Sequence, residues 1–559
     1  MKFNKVYLIL LSVASGVVLS LGWPERGFPG LLFFGIVPML MLEDYIASNR
    51  DRFYRYSVLF YSYPGFLIWN VLTTWWIVNS TLQGGIMANT LNALFMSIIF
   101  QAFHWTKKNL RYPLAGYAAL VSFWVALEYL HLNWDLNWPW LNLGNGFATF
   151  YKWVQWYEYT GALGGTVWVL VGNIIGFEIF HFLFNHHITT SPRHHITTSP
   201  RHHRILPSPF VVQYSIVLFI WILAPIAWSF VIYSNYKEVN RPVNFVIVQP
   251  NVDPYSEQYS LPPQEVVKRI MDLATPSLSD STDFMVAPES AIQEEMWEGD
   301  PRTFITIRLL QKEIEKYPHL NILIGGSTYY AFKPGDKLPR TARKFTDVDH
   351  YYNAYNTAIM INGWDTLQLY HKSKLTPGVE ILPSFKGFGW LEKYAIDLGG
   401  TVGSLGTDSI RKVYAAVYAP RVAPVICYES IFGEFFAEFV RNGAQVMIII
   451  TNDGWWGNTA GHRQHFSFAH LRAIETRRGI ARSANTGISA LIDQRGDAHQ
   501  VTKYWEPAVI KGILNANSTL TFYVKHGDYI ARFLSWLGGF LYLASIFVSL
   551  QKRFTKKKI

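Results

Sequence analysis

Only one cysteine, Cys427, stands in 559 residues. No intramolecular disulfide is possible, so any domain in an oxidising compartment must hold together by core packing. Charge is scarce as well. Asp, Glu, Lys and Arg make up 16% of the chain, against about 25% in soluble domains. Half of the residues are hydrophobic, which places much of the chain in lipid rather than in three or four soluble domains. There is no Walker loop, and the polar segment after residue 241 has no clustered ligand set, so neither a cofactor nor a metal is expected. The net charge of +10 gathers in short loops between apolar runs. That is a topology signal, and no nucleic-acid partner is expected.

Apolar runs at 7–23, 28–42, 58–78, 84–103, 113–132, 161–184, 211–233 and 529–550 predict about eight transmembrane helices. The first is not read as a cleaved signal peptide, because no small-x-small site follows and further spans come at once. Lys and Arg cluster at both termini and in the connections after the second, fourth and sixth spans, while those after the first and third carry almost none. Both termini are therefore expected in the cytoplasm, with the long segment between spans seven and eight outside. The chain divides into a membrane domain (1–240), an outer domain (241–525) and a last span with a basic tail (526–559).

Three features of the membrane half stand out. The stretch His-His-Ile-Thr-Thr-Ser-Pro-Arg occurs twice in tandem within 186–203 and reads as a low-complexity linker rather than a metal site. The connection 134–145 is packed with Trp, Asn, Pro and Gly. It suits either an aromatic belt at the membrane surface or a fixed loop lining a lipid path. Glu128, inside the fifth span, is an intramembrane carboxyl with either a specific role or a buried hydrogen bond.

In the outer segment short apolar runs recur at 244–249, 284–287, 321–325, 357–361, 424–426 and 446–451, with helical spacing at 263–273 and 300–316. That alternation predicts a mixed sheet covered by helices. Several strands end in a reactive side chain: Glu289, Lys372 and Cys427. A lone buried cysteine is commonly a small hydrophobe, and either charge alone would be a surface residue. Together they are the parts of an activated thiol. A free thiol, with a pKa of about 8.5, is mostly protonated at neutral pH. A carboxylate can take its proton during attack, and an ammonium with a backbone N–H can meet the oxyanion that forms.

The strand end Pro288-Glu289-Ser290, the run from Lys372 to Glu380 and Ile426-Cys427-Tyr428-Glu429 resemble the nitrilase superfamily, whose triad is Glu-Lys-Cys. So does the run 451–457, Thr-Asn-Asp-Gly-Trp-Trp-Gly. With eight spans added, and with Trp138-Pro139-Trp140-Leu141 and Gly144 in the membrane loop, the chain resembles the apolipoprotein N-acyltransferase family over nearly its full length. The resemblance implies an α-β-β-α sandwich outside the membrane. It implies catalytic Glu289, Lys372 and Cys427, Lys372 being preferred to Lys374 because it stands eight residues before Glu380. It further implies support from Glu380, Tyr428 and Glu429, and substrate contacts at Trp455, Trp138 and Trp140. The superfamily's tryptophan shortly after Gln-x-Asn is replaced here by Tyr255 and Tyr259, which leaves the lid residue unassigned.

The implied reaction passes an acyl group from a phospholipid, through a thioester, to the amine of a diacylglyceryl-cysteine apolipoprotein. The implied setting is the periplasmic face of a bacterial inner membrane. Two rivals remain: a membrane-tethered amidase with water as acceptor, and a lipid transporter whose outer domain only binds.

Overall fold

Within lipid a backbone must satisfy its own polar groups, and all eight apolar runs are helical in the computed structural model, which describes residues 5–189, 209–364, 367–377, 379–381 and 405–556. Among the described residues six helices are long and apolar enough to cross a membrane: Pro29–Ser48, Leu82–Leu110, Pro113–Asn133, Tyr157–Leu183, Pro209–Asn235 and Tyr529–Thr555. Of the other two, Lys5–Leu21 has only 17 residues, and Ser57–Thr74 carries Asn70, Thr73 and Thr74 near its end. These two pack on each other at backbone distance, since a Cβ on Gly16 would lie 2.2 Å from the Gly65 carbonyl oxygen. The polar groups of Ser57–Thr74 are matched from the next helix. Asn92 Nδ2 donates to Asn70 Oδ1 at 2.7 Å, and Thr74 Oγ1 donates to Asn89 Oδ1 at 3.1 Å. The tandem His repeat begins at the end of helix Tyr157–Thr189, and from residue 190 it lies outside the described residues.

Past Asn235 the period changes from helical to two. In strand Pro242–Gln249, Phe245 and Ile247 face one core while Val246 and Val248 face another. The sequence pattern suggests one mixed sheet, and the structure contains two. The larger runs Ala508–Asn515, Pro242–Gln249, Phe284–Val286, Asn321–Ala331, Tyr351–Ile361, Arg343–Lys344, with Gln368–His371 also paired to Tyr351–Ile361. The smaller runs Ala498–His499, Ala490–Ile492, Ile480–Ala484, Val446–Thr451, Val422–Ile426, the last three strands being parallel.

Helices Pro263–Ala274 and Ile305–Lys316 bury Val267, Ile270, Ile307 and Leu310 on the outer face of the larger sheet. Gly433–Arg441 and Ala460–Thr476 do the same for the smaller with Phe436, Phe439, Leu471 and Ile474. The result is the α-β-β-α sandwich of a nitrilase-like domain, seated on a helical membrane domain. Several bonds join the two. Trp140 Nε1 donates to Gln464 Oε1 at 2.7 Å, and Gln464 Nε2 donates to the Pro24 carbonyl at 2.9 Å. Asn79 Nδ2 reaches the Trp456 carbonyl at 2.9 Å, and the Ala162 N–H reaches Glu475 Oε1 at 2.9 Å.

Candidate active site

Glu289 follows Phe284–Val286 and Lys372 follows Gln368–His371, both in the larger sheet. Cys427 follows Val422–Ile426, an edge strand of the smaller sheet. The edge position tolerates Pro424, which has no N–H for a ladder. Stacking the two sheets brings all three side chains to one cavity, lined also by Glu380, Asn356 and Trp455.

Two carboxylates share the lysine. Lys372 Nζ lies 3.0 Å from Glu289 Oε1 and 2.8 Å from Glu380 Oε1. Asn356 Nδ2 donates to the same two oxygens at 2.8 and 3.1 Å. The second oxygen of each is held by backbone: Asn452 N–H to Glu289 at 3.0 Å and Thr376 N–H to Glu380 at 2.9 Å. Burial alone would strip the proton from Lys372, but Glu289 and Glu380 outweigh it and hold the ammonium well above the usual lysine range. Burial likewise pushes Glu380 up, and the Lys372 charge overrides it and keeps the carboxyl below its ordinary value.

Cys427 has φ 47°, the left-handed region that side chains with a Cβ rarely occupy. Its carbonyl accepts from Ser430 Oγ at 2.7 Å. Glu429 ties the turn to the lysine strand. It accepts from Ile426 N–H at 2.8 Å, Ser373 N–H at 2.6 Å and Tyr370 OH at 2.7 Å. Burial raises its carboxyl to about 7 despite those donors. The Cys427 thiol is raised by burial and then by the Glu289 charge, with Lys372 opposing. At rest it keeps its proton.

Behind Cys427 sits a closed polar group. Asp453 Oδ1 meets Thr451 Oγ1 at 2.7 Å and His465 Nδ1 at 2.9 Å, and Asp453 Oδ2 meets Arg482 Nη2 at 2.7 Å. Donor atoms of Cys427, Asp453 and His465 lie within 4.8 Å of one another, as metal ligands could. The set does not fit a metal ion, because the guanidinium already fills the place of the cation and both Asp453 oxygens are taken. Burial would raise the Asp453 carboxyl, and Arg482 with His465 drives it well below the usual range instead.

The remaining residues singled out from sequence divide. Glu380 and Trp455 line the same cavity as Glu289, Lys372 and Cys427. Tyr255 and Tyr259 flank Trp455 at ring distances of 5.3 and 6.5 Å. Tyr428 OH donates to the Asn137 carbonyl at 3.1 Å, linking the Cys427 turn to the membrane loop. Lys374 donates to the Leu132 carbonyl at 2.7 Å, away from Lys372's carboxylates. Trp138 and Trp140 stack at 5.7 Å and line a second, apolar cavity. That cavity shares Ser80, Thr376, Val379 and Trp456 with the first, and Met87, Leu91 and Phe95 of helix Leu82–Leu110 wall it on the membrane side.

Glu128 is neither free nor in the cavity. It accepts from Trp124 Nε1, Leu143 N–H and Thr166 Oγ1 at 3.0, 2.8 and 2.6 Å, so its role is the buried hydrogen bond. Sequence reasoning missed Asn356 and Ser373. Nothing local marks either, since each acts through a partner at least 24 residues away.

Residues 15–175 match the family model described as Apolipoprotein N-acyltransferase N-terminal domain, and residues 331–519 match that described as Carbon-nitrogen hydrolase. An apolipoprotein N-acyltransferase of Chlorobaculum tepidum is 26% identical over 552 residues, covering 96% of each chain. One of Geobacter metallireducens is 25% identical over 543 residues, covering 93% of this chain and 92% of its own. Among solved structures, Saccharomyces cerevisiae Nit3, a member of branch 10 of the nitrilase superfamily, aligns with 50% of this chain and 92% of its own, at 17% identity and a TM-score of 0.33. With a membrane half and a carbon-nitrogen hydrolase half joined in this order, the chain is similar to apolipoprotein N-acyltransferases over almost its whole length.

Proposed function

We propose that this protein transfers a fatty acyl group from a phospholipid to the N-terminal amine of a diacylglyceryl-cysteine apolipoprotein, with Cys427 carrying it as a thioester. The observation that carries this reading is the junction of two cavities: a charged one holding Cys427 and an apolar one walled by a membrane helix. A small-amide hydrolase has no use for the second. The names of the relatives point the same way.

Glu289 is the base, Lys372 the electrostatic partner and Cys427 the nucleophile. Glu289 takes the thiol proton as sulfur attacks the ester carbonyl, forming the C–S bond. The oxyanion is met by the Lys372 ammonium and the Tyr428 N–H, and one such donor is worth about 3 kcal/mol. The C–O bond then breaks, and the lysophospholipid leaves with the proton. In the second half the acceptor amine attacks the thioester and loses its proton to Glu289. An amide forms, and the Cys427 thiolate departs and is reprotonated. Glu380 shares Lys372 with Glu289 and keeps it charged; Glu429 positions the Cys427 and Lys372 turns on each other. Trp455, between Tyr255 and Tyr259, covers the cavity as the lid.

The basic loops support cytoplasmic termini and a catalytic domain of 241–525 on the periplasmic side of the inner membrane, with 1–240 and 526–559 in the bilayer. A tethered amidase is the weaker reading, because an apolar wall beside the nucleophile excludes the water it would need.

Mass spectrometry of Cys427 after incubation with a defined phospholipid tests the proposal. An added acyl mass is expected, and it disappears in Cys427→Ala. If Cys427→Ala still accumulates triacylated lipoprotein, the proposal fails.

A further inference from the structure

The apolar cavity beside Cys427 carries a belt of polar atoms that no group among the described residues answers. Asn92, His131 and Asn137 are 3%, 3% and 8% exposed, and they line it together with Trp138. Asn92 Oδ1, His131 Nε2, Asn137 Oδ1 and Trp138 Nε1 are all buried without a hydrogen-bond partner. Buried polar atoms are ordinarily paired. Four such atoms around one cavity, in the wall of the catalytic site, ask for a ligand.

The chemistry of that ligand can be read from the lining. Among the described residues its lining holds no Asp, Glu, Lys or Arg, so neither a phosphate nor an ammonium finds a counter-charge there. The group is neutral. Asn92 gives its amide hydrogens to Asn70, which turns its oxygen away from that bond. Trp134 Nε1 and the Leu136 carbonyl both lie 3.4 Å from His131 Nδ1, and in the tautomer in which Nδ1 accepts from Trp134 the hydrogen sits on Nε2. Trp138 Nε1 and His131 Nε2 are then two donors suited to a carbonyl oxygen, and the two asparagine oxygens suit a water that bridges to the same group. Met87, Leu91 and Phe95 supply apolar surface for chains on either side.

A carbonyl between two apolar stretches is an ester of an acyl lipid. In a two-chain phospholipid, the ester that is not attacked lies one glycerol unit from the ester that is. We propose that Trp138, His131, Asn92 and Asn137 bind the unreacted ester of the donor phospholipid and so hold the other ester over Cys427. The inference rests on the acyl-transfer reading above and adds the part of the donor that is recognised. It makes the protein a reader of two-ester lipids: the lysophospholipid product keeps the recognised ester and has lost the acyl chain left on Cys427.

The test uses the full-length protein in mixed micelles and measures the rate of acyl mass gain at Cys427. Three lipids of one headgroup are compared: the diester, and the two isomers in which one ester is replaced by an ether that lacks the carbonyl. The isomer that keeps the reactive ester is expected to acylate Cys427 about tenfold more slowly than the diester, the size of one or two lost hydrogen bonds. The ratio of diester to ether rates is expected to fall towards one in Trp138→Phe and in His131→Phe. A ratio near one in the unmodified protein overturns the inference while the acyl-transfer reading stands. A tenfold ratio that persists in both variants overturns the assignment to these residues. No acyl mass from any of the lipids sinks the acyl-transfer reading, and this inference with it.

Discussion

Glu289 acts on Cys427 in two opposed ways. In the proposed reaction it removes the thiol proton. At rest its charge adds to burial in holding that proton on, against the pull of Lys372. The two effects separate in Glu289→Gln. With the carboxylate gone, the remaining charge partner is the Lys372 ammonium, so the thiol pKa falls and alkylation of Cys427 by iodoacetamide at pH 7 becomes several-fold faster. Acyl-enzyme formation goes the other way and drops about 10²–10⁴-fold for want of a base. Parallel loss of both rates would reduce Glu289 to a structural role. The strand-end positions of Glu289 and Cys427 were legible because each closes an apolar run, and that of Lys372 because it stands eight residues before Glu380. Asn356 was not, because it sits inside a strand whose pairing with Gln368–His371 decides that its amide meets both carboxylates. Glu429 was visible only as a neighbour of Cys427. Its bond to Ser373, 56 residues back, depends on two sheets meeting.

The Trp-rich connection behaves as a rigid element rather than a surface belt. Pro139–Leu141 and Leu143–Trp153 are 3-10 turns, and Glu128 holds Leu143 from within the fifth span. Gly144 lies so close to the next helix that an added Cβ would be 1.8 Å from the Ala162 carbonyl oxygen. Its N–H donates to Thr166 Oγ1 at 3.1 Å, and Thr166 donates to Glu128. Gly144→Ala therefore pries the loop from the helix, and thermal unfolding in detergent should show a loss of about 1–3 kcal/mol. Because Trp138 and Trp140 ride on this loop, acylation of Cys427 should fall as well. An unchanged melting temperature would mean that the loop gives way freely.

Apolar runs revealed most elements but shortened some. Strands Asn321–Ala331 and Tyr351–Ile361 extend well beyond their apolar halves, since the backbone ladder carries on from Ser327 to Ala331 opposite Asn356 to Tyr352. The number of sheets was hidden for a related reason. Strands of both sheets are buried on two faces and read alike.

The larger of the protein's apolar cores ignores the border between membrane and outer domain. A single contiguous cluster contains Trp69, Trp124 and Trp140 of the membrane half with Val425, Ile449 and Phe468 of the sandwich. Helix Ala460–Thr476 is the joint. It packs on the smaller sheet, accepts Trp140 through Gln464, and carries Glu475, whose carboxyl is buried against Ala162 and raised by that burial to about 7. Next to it Arg477 pairs with Glu158 at 2.7 Å. A linker between independent domains would show polar, sparse contacts. Most of these are apolar or buried. Residues 241–525 expressed alone would expose Phe468 and its neighbours, leave the Gln464 side chain without Trp140 and Pro24, and take Ala162 from Glu475 and Glu158 from Arg477. Size-exclusion chromatography and a hydrophobic dye should therefore report an aggregated or dye-binding species. A monomeric fragment with a cooperative melt would refute the shared core. In the intact chain the shared core also has a consequence for chemistry. The floor of the Cys427 cavity and the wall facing the lipid belong to one packed body, so a lipid seated between membrane helices is held at a fixed distance from the thiol.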